Sequence, residues 1–412
     1  MSDKIPTKDI TEVYCPLPFN HMNLHPNGHI GLCCVSEMFP PNDGFYRDRT
    51  TRKMMNLSSN SVEEMWYQST VIDARNQMLE GKKPPACHNC YKIEKRGGKS
   101  RRITEIERWG QNIYKPRLEF LDLRMSNLCN SKCMMCNPDS SSSLAKEYKQ
   151  WEDKLDFVQA DPKTYKEYQW FNDEKIEQIL EHKNTLKYMY INGGEPFMMP
   201  FHWKFLERLI EEDVAKNIHI SYNTNCSQYE TWYNDIWKHF KHVSLGMSVD
   251  GVDKVNEWIR RPVNGNTWEQ IDEYVNKLIF ETPSLYAINI TNTVQFLNAP
   301  YLDDYYAWAQ PIIDKRNADP NLGIGTINQN FLVFPHYLSL NCASIEWKQK
   351  LKAHLQESIY HKQILTPNMI SYLDAKEEHE MLWNQGMQFL DTVEETRKMG
   401  PWRDIFDYEY KF

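Results

Sequence analysis

The stretch LEFLDLRMSNLCNSKCMMC, Leu118 to Cys136, decides how this chain is to be read. Its first eight residues, LEFLDLRM, read as a strand. Directly behind them comes a CxxxCxxC loop whose cysteines are Cys129, Cys133 and Cys136. Thiolates are soft ligands suited to iron–sulfur clusters, and a four-iron cluster normally takes four of them. Three local cysteines therefore leave one iron open. A structural zinc ion would need a fourth Cys or His close to the loop, and the adjacent sequence offers none.

Downstream, short apolar runs alternate with amphipathic helical segments, the pattern of repeated βα units. Six strands are expected: Leu118 to Met125, Lys187 to Asn192, Asn217 to Asn223, His242 to Val249, Tyr286 to Val294 and Ile324 to Val333. Six such units make a partial (βα)6 TIM-type barrel over residues 116–335. The segment from Cys136 to Lys187 is longer than one helical crossover and opens with a serine run, Ser140 to Ser143, so an extra helix is expected there. Residues 336–412 read as a C-terminal helical extension, with the aromatic tail PWRDIFDYEYKF packing back as a cap.

Upstream, residues 1–110 read as a small α+β domain. CPLPFNHMNLHPNGHIGLCC is a hairpin that turns at Pro26-Asn27-Gly28. Ser61 and Glu64 form a capping box, and Met65, Trp66, Ile72, Met78 and Leu79 line the helix expected to follow. That helix leads to Cys87 and Cys90. With Cys15 and Cys33 they make four thiols, enough to close a second cluster, with a zinc ion as the alternative. Cys34 could replace Cys33, but the resemblance of Gly28 to Cys33 to the GxxxxC element of auxiliary-cluster domains favours Cys33. Cys34, Cys226 and Cys342 are then expected to be buried small residues.

Of the ten cysteines, eight precede residue 137, and none is expected in a disulfide. The first residues, MSDKIPTKDI, lack the layout of a signal peptide, and no run approaches eighteen apolar residues. A cytoplasmic protein is expected. A net charge of -8 gives no general attraction for nucleic acid or anionic membrane. The basic run KIEKRGGKSRR, Lys92 to Arg102, is expected to be a solvated face, and its GGKS lacks the first glycine of a phosphate loop. No histidine is assigned a catalytic role.

From Leu118 to Val333 the chain resembles the radical S-adenosylmethionine (SAM) superfamily. The resemblance implies that Cys129, Cys133 and Cys136 hold a [4Fe-4S] cluster with an open iron. That iron chelates SAM, which is cleaved to a 5′-deoxyadenosyl radical that takes hydrogen from a substrate. Gly193-Gly194-Glu195-Pro196 matches the family's GGEP segment, whose backbone and Glu195 would receive the methionine amino group. Asn225 stands at the family's TNG position, with Cys226 where glycine is usual. Ser248 and Asp250 resemble the SxDG segment that contacts ribose and methionine, and Arg260 would pair with the methionine carboxylate. Met135 stands where an aromatic residue is usual. No catalytic side chain is implied beyond these.

The N-terminal cysteines resemble the SPASM and twitch auxiliary-cluster domains, down to Trp66, Arg75, Tyr91, Glu94, Gly97, Ser100 and Arg102, although the domain usually follows the barrel. This implies a second [4Fe-4S] cluster fully ligated by protein, and an electron donor such as flavodoxin or ferredoxin. It further implies a peptide or protein side chain as substrate. Modification of a small metabolite, sugar, nucleotide or RNA, or a non-catalytic iron–sulfur or zinc module, are the alternatives.

Overall fold

The computed structural model describes residues 10–37, 43–111, 115–263, 265–376 and 379–406. Among the described residues eight strands form, the first two as a hairpin and the rest separated by helices: β1 (His21–Leu24), β2 (Ile30–Gly31), β3 (Phe120–Leu123), β4 (Tyr188–Ile191), β5 (His219–Thr224), β6 (His242–Ser248), β7 (Leu285–Val294) and β8 (Ile324–Phe331). All six strands expected from the apolar runs are present as β3 to β8. The chain is a mixed α/β protein with mostly parallel strand pairing.

The chain divides into two compact units. The first comprises Met1–Asn127, Glu167–Tyr222 and His239–His242, and the second comprises Leu128–Lys166, Asn223–Lys238 and Val243–Phe412. In the first unit the strand order is β2-β1-β3-β4-β5. The hairpin forms as the Asn-Gly turn requires: Gly28 takes φ +82°, and Asn23 and Leu24 pair antiparallel with Gly31 and Ile30. Its first strand then runs parallel to β3, with His21 opposite Phe120 and Asn23 opposite Asp122. β3, β4 and β5 follow in parallel register. β3 is buried at all four positions, as a strand covered on both faces must be.

The Ser61 capping box is complete, with Ser61 accepting from Glu64 N and Glu64 reaching back to Ser61 N. The single helix expected behind it is two: Val62–Trp66 and Ser69–Leu79. Gln68 breaks it. Its side-chain oxygen caps Thr70 N at 2.6 Å and its amide donates to the Arg47 carbonyl, which starts a new helix in a new direction. Consequently Val71, Ala74, Arg75 and Met78 are the buried positions, and Ile72 and Leu79 only half-buried.

In the second unit β6, β7 and β8 are parallel. The segment behind Cys136 contains the extra helix, Ala145–Glu152. The C-terminal part supplies helices Ile345–Glu357 and Glu380–Arg397. The tail packs back: Trp402 is buried, Phe406 meets Trp258 edge-on at 5.8 Å, and Tyr301 donates to the Ile405 carbonyl. The last six residues of that tail lie outside the described residues. No described helix is long and apolar enough to cross a membrane.

Candidate functional site

The Cys129–Cys136 loop lies wholly in the second unit, and it is held from several sides. The helix Asp253–Arg260 ends beside it, and its last carbonyls accept from the loop: Ile259 O from Met134 N and Arg261 O from Lys132 N, both at 2.9 Å. The Cys133 thiol lies 3.6 Å from the Arg260 carbonyl. The serine run closes the opposite side, with Ser143 donating to the Cys129 carbonyl at 2.6 Å and Ser141 to the Ser131 carbonyl at 2.7 Å. Tyr148, on the extra helix, donates to the Cys136 carbonyl at 3.0 Å. A buried ion pair between Glu147 and Arg397 completes the frame. Arg397 also donates to the Lys132 carbonyl, and Lys132 pairs with Glu147 at 2.9 Å.

Electrostatics favour charge on one of these sulfurs, that of Cys133. A hydrogen bond with Cys136 lowers Cys133 to about 7; burial opposes this, and the Arg260 and Arg397 charges assist it. The shared hydrogen bond and burial drive Cys136 the other way. Asn225 reaches the same loop: its amide donates to Asn130 at 2.8 Å and Ser131 at 2.9 Å, and lies 3.9 Å from the Cys129 sulfur. Cys226 behind it takes φ +56°, the left-handed conformation that glycine adopts without cost, so the turn is kept at a strain of roughly 1–2 kcal/mol.

Asp250 and Arg260 are joined to each other. Arg260 Nε lies 2.8 Å from Asp250 Oδ2, and the other Asp250 oxygen accepts from Thr293 N at 2.7 Å. Burial works against the Arg260 charge, but Asp250 and the two cysteines beside it hold its pKa above the usual value. Ser248 ends β6 opposite Thr291.

In the first unit the Gly193–Pro196 turn follows β4. Gly193 takes φ +82° and Gly194 φ +61°. A Cβ on Gly193 would stand 2.6 Å from Arg124 Cβ, so this position needs glycine for space as well as conformation. Glu195 is buried and caps the short turn at Pro196–Met198 through Phe197 N.

The same unit gathers Cys15, Cys33, Cys87 and Cys90. The Cys33–Glu37 loop lies against the Cys87 turn through Glu37 N to the Ala86 carbonyl and Asn89 to the Val35 carbonyl. Cys15, Cys33 and Cys87 share an apolar cluster with Tyr14, Phe19, Met78 and Phe120. Burial raises all three thiols, and neighbouring cysteines of the set raise them further. Thiols raised in this way become thiolates together only around positive metal, so the set fits a cluster. Among the described residues no three His, Cys, Asp or Glu converge as a single metal ion requires.

Cys34 is exposed rather than buried, which corrects the expectation. Arg101, Asp122 and Arg124 act on it, and it acts in turn on Cys33. Cys226 and Cys342 are buried. The basic run is only partly a solvated face. Lys92, Lys95 and Arg96 are exposed, but Arg102 is buried, paired with Glu94 at 2.5 Å and donating to the Thr11 and Tyr14 carbonyls beside Cys15. Ser100 also donates to Glu94, so Glu94, Ser100 and Arg102 form one bracket. The frame residues Ser141, Ser143, Glu147, Tyr148 and Arg397 carried no site signal in the sequence beyond the serine run itself.

Residues 123–280 match the family model of the radical SAM superfamily, and residues 15–91 match that of an iron–sulfur cluster-binding domain, SPASM. The second match spans Cys15, Cys33, Cys87 and Cys90. No curated protein matches the sequence significantly. Among solved structures, anSMEcpe with bound AdoMet is 18% identical at a TM-score of 0.39, covering 58% of this chain and 60% of that one. SuiB of Streptococcus suis bound to S-adenosylmethionine is 14% identical at 0.33, covering 72% and 54%. TYW1 with a lysine-pyruvate adduct is 14% identical at 0.29, covering 58% and 72%. The chain thus spans less than two thirds of the first two, and likenesses this distant assign no substrate.

Proposed function

We propose, on the premise that this chain is a radical SAM protein whose N-terminal SPASM domain precedes the radical SAM domain, that it reductively cleaves S-adenosylmethionine to modify a peptide or protein side chain. The observation that carries this reading is the pinned CxxxCxxC loop. When bound, a [4Fe-4S] cluster with one open iron supplies the electron, and SAM supplies the hydrogen-abstracting agent. Cys129, Cys133 and Cys136 would hold that cluster. Asn225 and Ser131 fix the loop around Cys129, while Arg260 and Arg397 lend it positive charge. Gly193, Gly194, Glu195 and Pro196 would receive the methionine end of SAM, with Ser248, Asp250 and Arg260 as further contacts. The Asp250–Arg260 ion pair supports a role for Asp250 in orienting Arg260.

Cys15, Cys33, Cys87 and Cys90 would hold the second cluster, bracketed by Arg102. The resemblance of Cys15 to Arg102 to SPASM and twitch domains supports the peptide assignment, with flavodoxin or ferredoxin as electron donor. The domain arrangement proposed is 1–110 for the auxiliary cluster, 116–335 for the barrel and 336–412 for the cap, in a cytoplasmic protein.

Anaerobic reconstitution followed by iron and sulfide counting, then assay for 5′-deoxyadenosine after reduction, tests this. Wild type is expected to carry about eight irons and to form 5′-deoxyadenosine. Cys133→Ala is expected to keep about four irons and form none. Unaltered product in that variant would sink the proposal.

A further inference from the structure

The C-terminal ends of β1, β3 and β4 lie together in the first unit, the edge at which parallel α/β proteins place their ligands. Polar groups collect there in unusual number. Arg124 follows β3 directly, Asn192 follows β4 and donates to Asp122 at 3.2 Å, and His25 follows β1 and contacts Asn23 at 3.2 Å. Arg101, from the helix Arg101–Trp109, acts electrostatically on Asp122, Cys34 and His21, and is itself held by Glu105 at 2.9 Å.

Arg124 is the charge left over. Its Nε is buried without a hydrogen-bond partner, and its only ion pair among the described residues is a long one, 3.9 Å to Asp122. Its side chain is 23% exposed, so it is both reachable and poorly satisfied. Two deeply buried groups on the β1 residues that pair with Phe120 and Asp122 are unsatisfied too: His21 Nδ1 and Asn23 Oδ1. Buried polar groups are ordinarily hydrogen-bonded, and such a concentration marks a place where a ligand supplies partners. Arg124 also packs against Gly193, the first residue of the segment proposed to receive SAM.

We propose that Arg124 and the polar groups around it recognise a carboxylate on the substrate, so that the peptide modified by this protein carries an acidic residue or a free C-terminus. This rests on the peptide-modifying reading above. The local charge selects a monoanion. Arg101 is paired with Glu105, Arg124 has only Asp122 at 3.9 Å, and burial together with the two arginines keeps His21 uncharged at neutral pH, so a single loosely held guanidinium faces the ligand and matches one negative charge better than a phosphate dianion. A carboxylate matches the planar fork of one arginine.

The test is a binding measurement independent of turnover. Saturation-transfer NMR is run on the reconstituted protein with saturating S-adenosylmethionine, using the tripeptide amides N-acetyl-Ala-Glu-Ala and N-acetyl-Ala-Gln-Ala, and inorganic phosphate as competitor. The Glu peptide is expected to bind about tenfold more tightly than the Gln peptide. Arg124→Gln abolishes that preference, Arg124→Lys keeps part of it, and the exposed Arg49→Gln leaves it unchanged. Equal binding of the two peptides overturns the proposal, as does a preference that survives in Arg124→Gln. Displacement of the Glu peptide by phosphate at equal concentration overturns the monoanion assignment. A preference seen only when the measurement is repeated without SAM shows that Arg124 serves the methionine carboxylate instead, and overturns it as well. Absence of 5′-deoxyadenosine with the preference intact would instead count against the catalytic reading alone.

Discussion

Glu147→Gln tests whether the cysteine loop is held from a distance in sequence. Arg397 has a side chain only 1% exposed, and both its Nε and one terminal nitrogen reach the same Glu147 oxygen, at 3.0 and 2.9 Å. Burial lowers the Arg397 pKa and Glu147 holds it up. Removing the carboxylate charge leaves a guanidinium buried beside Lys132, which loses its partner too. Breaking a buried pair on one side costs about 3–5 kcal/mol. Because Arg397 also donates to the Lys132 carbonyl inside the loop, that loss falls on the loop itself. Hydrogen exchange read by mass spectrometry on peptides covering residues 129–143 is the assay, since amides report local opening. Exchange of the Lys132 and Met134 amides is expected to rise by about a hundredfold or more, the equivalent of about 3 kcal/mol. Glu147→Leu combined with Arg397→Leu removes both charges and is expected to recover most of the protection. Wild-type exchange in Glu147→Gln would refute the reasoning.

Cys33→Ser is expected to lose about four irons and Cys34→Ser none, because Cys15 and Cys90 act on Cys33 while Arg101, Asp122 and Arg124 act on Cys34; equal iron counts in the two variants would contradict this. Gly193→Ala places a methyl group 2.6 Å from Arg124 Cβ at φ +82° and is expected to lower stability by about 1–2 kcal/mol or more, seen as a reduced urea midpoint; an unchanged midpoint would mean that the turn yields freely. His202 is fully buried, and burial lowers its pKa to about 3 against a hydrogen bond with Pro196, so the unfolded chain binds its proton first. Its share of stability is complete above about pH 6.5 and declines as pH falls toward 3. Between pH 7.5 and 5.5 the loss is about 1.4 kcal/mol, which urea titrations of wild type and His202→Gln should show as a shallower pH dependence in the variant.

The sequence was most legible where a rule is local. All six apolar runs became strands, the Asn-Gly turn became a hairpin, and the Ser61 capping box closed as the residue types demand. The break at Gln68 was not visible, because glutamine is an ordinary helix residue and becomes a stop only when the Arg47 carbonyl is present to hold its amide. The cysteine spacings drew attention to two sites, and geometry added what spacing lacks: Cys33 and Cys34 are neighbours in sequence with different surroundings. Asp250 and Arg260 were read as separate ligand contacts, and the structure joins them. The frame around Cys129 to Cys136 was hidden for a plainer reason, since Glu147 and Arg397 lie far apart along the chain and no periodicity links them.

The pairing of β1 with β3 sets an order of events during synthesis. His21 meets Phe120, about a hundred residues later, so at ribosomal rates of about 5–20 residues per second the hairpin waits several seconds for its neighbour. Cys15, Cys33, Cys87 and Cys90 have all emerged by then, whereas Cys129 has not. Metal captured by these four thiols would tie down the long excursion between β1 and β3 before the parallel pairing forms, shortening the loop that pairing must close. Iron supply to the nascent chain would then govern the yield of folded protein, and starvation would leave an unpaired strand edge exposed to aggregation.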